Sequence, residues 1–315
     1  MDGSAQQALP GLWHAALPYR SPAELEAAAC QFAADAAAAD AALFITCDSP
    51  ALSRIRTQLS SVGDHVTWTD AAGPAANPGQ LIYAISRFAA QHPGRAAWCL
   101  QEAAWPARPH DELCEVVRYE ALLNLALGSQ VRVLCPYDAG LPAEVASCFQ
   151  VSHPLTASEG HWQPTPHFQE QLLKSTVPPA CDRPLPPPPG NARVISYRGE
   201  LAGVRGVVSA EARAAGLSAS RASDLLLAVG ELIANTLAHT SGPGVLAIWA
   251  TSQAVTCQVS DGGYIADPLA GQLRPGPAQA GGGRGLWVVH QLCDLVQVRT
   301  SPAGTTIRVH LRLGS

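Results

Sequence analysis

Charge is scarce in this chain. Asp, Glu, Lys and Arg together make up 14% of the 315 residues, 20 basic against 25 acidic. A net charge of −5 leaves no basic footprint for phosphate backbones, so direct nucleic-acid binding is not expected. Apolar runs are short: nothing approaches the roughly 18 uninterrupted residues of a membrane span. The alanine-rich stretch Cys30–Phe44 is broken by Asp35 and Asp40. Met1–Pro10 lacks the basic and apolar regions of a secretory leader, and a cytoplasmic location is expected. The nine cysteines stand singly, with no CxxC pair and no zinc-type Cys/His spacing. Their odd number and apolar neighbours predict reduced, mostly buried thiols. No GxxxxGK[ST] loop follows any strand pattern, so the first part of the chain is not expected to hydrolyse nucleotide.

What is abundant is alanine, within an apolar content of 47%, which suits helices packed closely on sheets. Proline is concentrated in Val177–Gly190, a segment excluded from helix and central strand alike, which reads as a semi-rigid polyproline spacer. It divides the chain into 1–176 and 191–315, each of domain size. Before it, helix and strand patterns alternate. Helices are predicted over Ser21–Ala39, Ser49–Ser60, Pro78–Gln91, His110–Leu127 and Leu141–Gln150. Strands are predicted at Ala41–Thr46, Val66–Thr69, Ala96–Glu102 and Val131–Pro136. That order predicts a mostly parallel sheet covered on both faces, an α/β three-layer domain. Ligands in such sheets bind beyond the carboxyl ends of the strands. Here those ends carry Cys47-Asp48, Gln101-Glu102 and Tyr137-Asp138, which read equally as a ligand-binding edge or as solvated loops.

After the spacer, strands are expected at Arg193–Tyr197, Val245–Thr251, Ala254–Val259, Leu295–Thr300 and Thr305–Leu313. Helices are expected at Gly203–Ala215, Ser218–Thr240 and Gly285–Cys293. This is a two-layer α/β sandwich, one sheet against helices. Three segments in it carry chemistry. Glu231-Leu-Ile-Ala-Asn235 sets a carboxylate and a carboxamide four residues apart, on one helix face. Asp261-Gly-Gly263 ends a strand on an acidic acceptor. Gly281-Gly-Gly-Arg-Gly285 opens a helix, where backbone N–H groups can cradle phosphates. Taken singly, each has an ordinary reading: a polar helix stripe, a hairpin turn, a glycine turn. His239 reads as a helix-end residue and the tryptophans as core or interface anchors.

In order and spacing the three segments resemble the N, G1 and G2 boxes of the GHKL (histidine-kinase-like) ATPases, whose fold is the two-layer Bergerat sandwich. The runs Asp224–His239 and Gly283–Asp294 are most similar to the anti-sigma-factor serine kinase branch. About 17 residues separate Gly263 from Gly281, room for that branch's short lid. The resemblance implies ATP and Mg²⁺ as cofactors. By it, Asn235 ligates the metal, Glu231 is the general base, and Asp261 accepts a hydrogen bond from the adenine amino group. Gly263 gives the base room, Gly281, Gly283 and Gly285 wrap the phosphates, and Arg284 adds charge there or faces solvent. Thr305 or Thr306 contacts the base. Gly230 departs from the bulkier residue many relatives carry, and weakens the helix by about 1 kcal/mol relative to alanine.

The first domain resembles another family. Trp13–Ser21, Trp105-Pro106, Tyr119–Leu125, Leu134–Asp138 and His153-Pro154 are similar, in order, to the MEDS sensory domain, an α/β module related to RecA/KaiC-like folds but without the phosphate loop. The resemblance implies a small-molecule ligand on this domain. Together the two imply a cytoplasmic switch that binds a sigma factor and phosphorylates a serine on a STAS-domain anti-sigma-factor antagonist, usually as a homodimer. The alternative is a non-catalytic module that uses nucleotide only to set its shape. A sensor histidine kinase is disfavoured, since no dimerisation helix pair follows Ser152-His153-Pro154.

Overall fold

The computed structural model describes residues 12–60, 66–71, 77–158, 161–166, 168, 183–199, 201–275 and 284–314. Contacts divide the chain into two compact units, Met1–Asp182 and Arg183–Ser315. Among the described residues no helix is long and apolar enough to cross a membrane.

The first unit is built on a seven-stranded sheet in the order β3-β2-β4-β5-β1-β6-β7. The strands are β1 (Trp13–Tyr19), β2 (Ala42–Cys47), β3 (Val66–Asp70), β4 (Ala97–Gln101), β5 (Val131–Asp138), β6 (Leu155–Ser158) and β7 (His161–Pro164). All neighbours are parallel except the β6–β7 pair. The helices are α1 (Pro22–Ala38), α2 (Ser49–Gln58), α3 (Leu81–Gln91), α4 (His110–Ala126) and α5 (Ala143–Ser152). Ile45, Trp98, Leu100 and Leu134 face one core with Leu25, Phe32 and Ile55 of α1 and α2. Alternate residues look the other way, where Phe44 meets Phe88 of α3 with ring centroids 5.5 Å apart. The strands are therefore buried on both faces, and β2 and β4 are apolar except for Thr46 and Gln101 for that reason.

Local signals set the helix starts. Ser21 caps α1, its hydroxyl accepting from Glu24 N–H, with Pro22 at the first helical position. Helix α2 begins at Ser49 as predicted, capped by Asp48, whose carboxylate takes the Ala51 N–H at 2.8 Å. Strands β1, β6 and β7 were absent from the predicted elements. β1 is central, paired with β5 and β6, so its residues are chosen by burial rather than by alternation.

The second unit has a five-stranded antiparallel sheet, β11-β12-β10-β9-β8. Its strands are β8 (Arg193–Tyr197), β9 (Gly244–Ala250), β10 (Ala254–Asp261), β11 (Leu295–Ser301) and β12 (Gly304–Arg312). Three helices, α6 (Leu201–Ala214), α7 (Ala219–His239) and α8 (Arg284–Leu292), cover one face. Val208, Ala212, Leu225, Leu232 and Val289 of these helices close a core with Leu246, Ile248, Val255, Cys257 and Val309 of the sheet. Arg221 bolts the start of α7 to the end of α8, donating to Asp224, to the Leu292 carbonyl at 2.9 Å and to Asp294.

The proline-rich segment departs from a simple spacer. Its part within the described residues, from Arg183, belongs to the second unit. Arg308, only 7% exposed, donates to the Pro186 carbonyl and to Gln258, and lies over the Trp249 ring at 5.1 Å. Arg299 donates to the Arg183 carbonyl at 3.0 Å. Proline removes N–H donors but leaves carbonyls free, so a polyproline strand can dock through acceptors alone. Residues 177–182 lie outside the described residues.

Candidate functional site

Helix α7 starts where Ser218 Oγ accepts the Arg221 N–H. Its inward stripe, Leu225, Ala228, Val229, Leu232, Ile233 and Thr236, is buried in the core. Glu231 and Asn235 sit on the flank of that stripe, half-buried and one turn apart. Against them lies Gly285, the second residue of α8. A methyl group there would stand 2.7 Å from Glu231 Oε2 and 3.3 Å from both heteroatoms of the Asn235 amide. The positive end of α8 is thus set beside a carboxylate and a carboxamide.

The residue after Asn235 carries the site to the sheet. Thr236 Oγ1 donates to Asp261 Oδ2 at 2.6 Å and accepts from the Tyr197 hydroxyl at 3.0 Å. Asp261 ends β10, and its other oxygen accepts the Gly263 N–H at 2.8 Å. The carboxylate is held in place by two donors and remains half-exposed, with lone pairs to spare. A Cβ on Gly263 would come within 2.9 Å of Thr240 Cγ2 and 3.0 Å of Asp261 Oδ1, so the glycine keeps this corner open.

Opposite Asp261 in the β10–β12 register stands Thr305. Its hydroxyl donates to the Gly263 carbonyl at 2.8 Å and accepts from Thr300 Oγ1 at 2.7 Å, while Thr300 Oγ1 takes the Ile265 N–H at 2.9 Å. Thr306 pairs with Ser260 at 3.1 Å, on the other side of the sheet. Of the two threonines, Thr305 is therefore the one beside Asp261. Arg284 is exposed at the start of α8, and His239 is exposed in the last turn of α7. Gly281 and Gly283 lie outside the described residues.

Glu231, Asn235, Asp261, Gly263, Gly285 and Thr305 are thus gathered around the C-terminal half of α7. Sequence reasoning missed Thr236 and Tyr197, which hold Asp261. Thr236 had a signal, since it follows Asn235 on a helix whose buried stripe includes it. Tyr197 had none, because only the strand pairing Tyr197↔Gly244 brings it there. The donor set suits a magnesium nucleotide: a hard carboxamide oxygen, a carboxylate, a helix start and a hydrogen-bond acceptor at the glycine corner.

In the first unit, the carboxyl ends of β1, β2, β4 and β5 align. Glu102, 2% exposed, takes a very short hydrogen bond from the Tyr19 hydroxyl, while its Oε2 has no hydrogen-bond partner. Burial, with Asp48 nearby, raises its carboxyl from the usual 4.5 to about 7, against the Tyr19 bond that lowers it. Glu102 thus stands at the carboxyl end of β4 in the parallel sheet with one carboxyl oxygen unpaired.

Comparison with known proteins bears on both units. Residues 197–311 match the family model of the histidine kinase-like ATPase domain, and residues 13–154 match that of the MEDS (methanogen/methylotroph, DcmR sensory) domain. No curated protein matches the chain. Among solved structures, the RsbU and RsbW domains of Rv1364c from Mycobacterium tuberculosis are similar at 17% identity, over 38% of this chain and 32% of that one. The TM-score is 0.29, a likeness too slight to carry argument. The chain spans about a third of that protein's length.

Proposed function

We propose that this chain, in which a MEDS sensory domain precedes a histidine kinase-like ATPase domain, is an anti-sigma regulator with ATP-dependent serine kinase activity. The observation that carries the reading is the meeting of Glu231, Asn235 and the start of α8 at Gly285. Bound ATP would supply the phosphoryl group and Mg²⁺ would neutralise its charge. Asn235 Oδ1 is the ligand offered to the metal, and Asp261, held by Thr236 and Gly263, is the acceptor offered to the adenine amino group. Glu231, half-buried at the rim, is placed to take the proton of an incoming serine hydroxyl. The partners that fit are a sigma factor and a STAS-domain antagonist carrying that serine, with a homodimer as the assembly. The N-terminal domain would bias this activity when it meets its ligand.

Labelled ATP titrated with and without Mg²⁺ tests the site. Asn235→Ala is expected to lose the metal-dependent part of affinity, and equal Mg²⁺ dependence in parent and variant would refute the assignment. Phosphotransfer separates kinase from binder. Glu231→Ala should abolish serine phosphorylation and keep ATP binding, whereas a parent protein that phosphorylates nothing supports the non-catalytic module.

A further inference from the structure

Four side chains distant in sequence meet in the interior of the first unit: His14 on β1, Glu120 on α4, Cys135 on β5 and His153 just after α5. All are buried, and their donor atoms lie within 4.8 Å of one another. His14 Nε2 is 3.0 Å from Glu120 Oε2 and 3.2 Å from Cys135 Sγ. Cys135 Sγ is 3.2 Å from the same carboxylate oxygen, and His153 Nε2 is 3.4 Å from it. Ligands of a tetrahedral zinc stand about 3.3–3.6 Å apart, as its bond lengths of about 2.0–2.3 Å require.

The surroundings decide which ring nitrogens point inward. Asn124 Nδ2 donates to the Ser152 carbonyl at 2.8 Å and to the Glu120 carbonyl at 3.2 Å. Its Oδ1 is left as the acceptor facing His14 Nδ1 at 3.1 Å. His153 Nδ1 faces the Phe149 carbonyl at 2.8 Å. Both rings therefore carry a proton on Nδ1, and a neutral ring then turns the Nε2 lone pair to the cluster. His153 Nε2 has no hydrogen-bond partner. With both rings neutral, two imine nitrogens, a carboxylate oxygen and the Cys135 sulfur converge on one space. Gln101 Nε2 completes the shell, 3.3 Å from Cys135 Sγ and 3.5 Å from Glu120 Oε1, with its own carbonyl held by Tyr119.

We propose that the first unit binds one zinc-type divalent ion through His14 Nε2, His153 Nε2, Cys135 Sγ and Glu120. Nitrogen and sulfur donors favour such an ion over magnesium or calcium. Binding releases the Cys135 proton, and thiolate plus carboxylate balance the two positive charges, leaving the buried site neutral. With four protein ligands the shell is closed, so the ion fastens α4 and the end of α5 to the central strands rather than activating water.

The whole 315-residue chain, stripped with a chelator and reloaded with Co²⁺, provides the test. We expect one tetrahedral cobalt per chain with a thiolate-to-cobalt absorption, displaced by Zn²⁺ and not by Mg²⁺. Cys135→Ser should lose that absorption, and Cys47→Ser, a buried thiol outside the cluster, should keep it. Asn124→Ala, which leaves all four ligands, should weaken binding by about 10–100-fold. A folded parent chain, checked by circular dichroism, that retains less than roughly a tenth of an equivalent of Zn²⁺ or Co²⁺ would overturn the proposal and leave a proton-shared His–Glu–Cys network. Absorption unchanged in Cys135→Ser would overturn it equally.

Discussion

Gly285 leaves no room for a side chain, with Glu231 Oε2 2.7 Å from where a Cβ would sit. The clashing atom is the end of a flexible side chain, so Gly285→Ala should change stability by no more than about 1 kcal/mol. It should nevertheless displace the carboxylate and lower Mg²⁺–ATP affinity roughly tenfold by calorimetric titration. Unchanged affinity would place the phosphates elsewhere. Glu102 supplies a pH signature. Below its ordinary pKa of 4.5, folded and unfolded chains both hold the proton and burial carries no charge penalty. Between 4.5 and about 7 the unfolded chain gives up the proton first, so stability falls as pH rises, by on the order of 3 kcal/mol across the window. Glu102→Gln should remove that slope in urea unfolding of the chain. His14, lowered to about 4, acts in the opposite sense but is common to both proteins, so the difference profile isolates Glu102. Glu231, Asn235 and Asp261 were legible in the sequence because each lies in a short motif. Glu102 was legible only as a strand end, since its burial depends on neighbouring strands.

Helix α7 and strand β10 are joined through the Thr236 hydroxyl, which links Tyr197 to Asp261. Thr236→Val keeps the shape and removes both bonds. It should destabilise the second unit by about 1–2 kcal/mol and weaken ATP binding further by loosening Asp261. Equal ATP affinity in parent and variant would show that Asp261 needs no such support. Gly244 lies under the Tyr197 ring, where a Cβ would come within 2.2 Å of Cζ. Gly244→Ala should therefore expel the ring and cost about 1–3 kcal/mol in denaturant unfolding. Most elements were readable from the sequence pattern, as with the predicted helices Ser21–Ala39 and Ser218–Thr240, which α1 and α7 match to within a residue at each end. The short β6 and β7 were not, because four residues carry too little pattern to separate strand from loop.

Across the whole molecule, the residues proposed to hold the nucleotide and their supports, Tyr197 to Thr305, all fall within the unit Arg183–Ser315. A fragment of residues 183–315 should keep Mg²⁺–ATP binding, with stabilisation of about 2.7 kcal/mol at a hundredfold excess over Kd. A fragment from 191 onward should be less stable, because it lacks the Pro186 carbonyl that takes the Arg308 guanidinium. Equal melting temperatures of the two fragments would assign the proline segment no part in the fold. The sequence by itself determined the change of composition at the prolines, the Glu231/Asn235 pair and the glycine loop, since each is local and helical spacing places its side chains directly. Only the tertiary structure decided that His14 meets Cys135, 121 residues away, and that Arg308 takes a proline carbonyl. Those encounters depend on which strands lie side by side, and a strand's own residues fix its faces but not its neighbours.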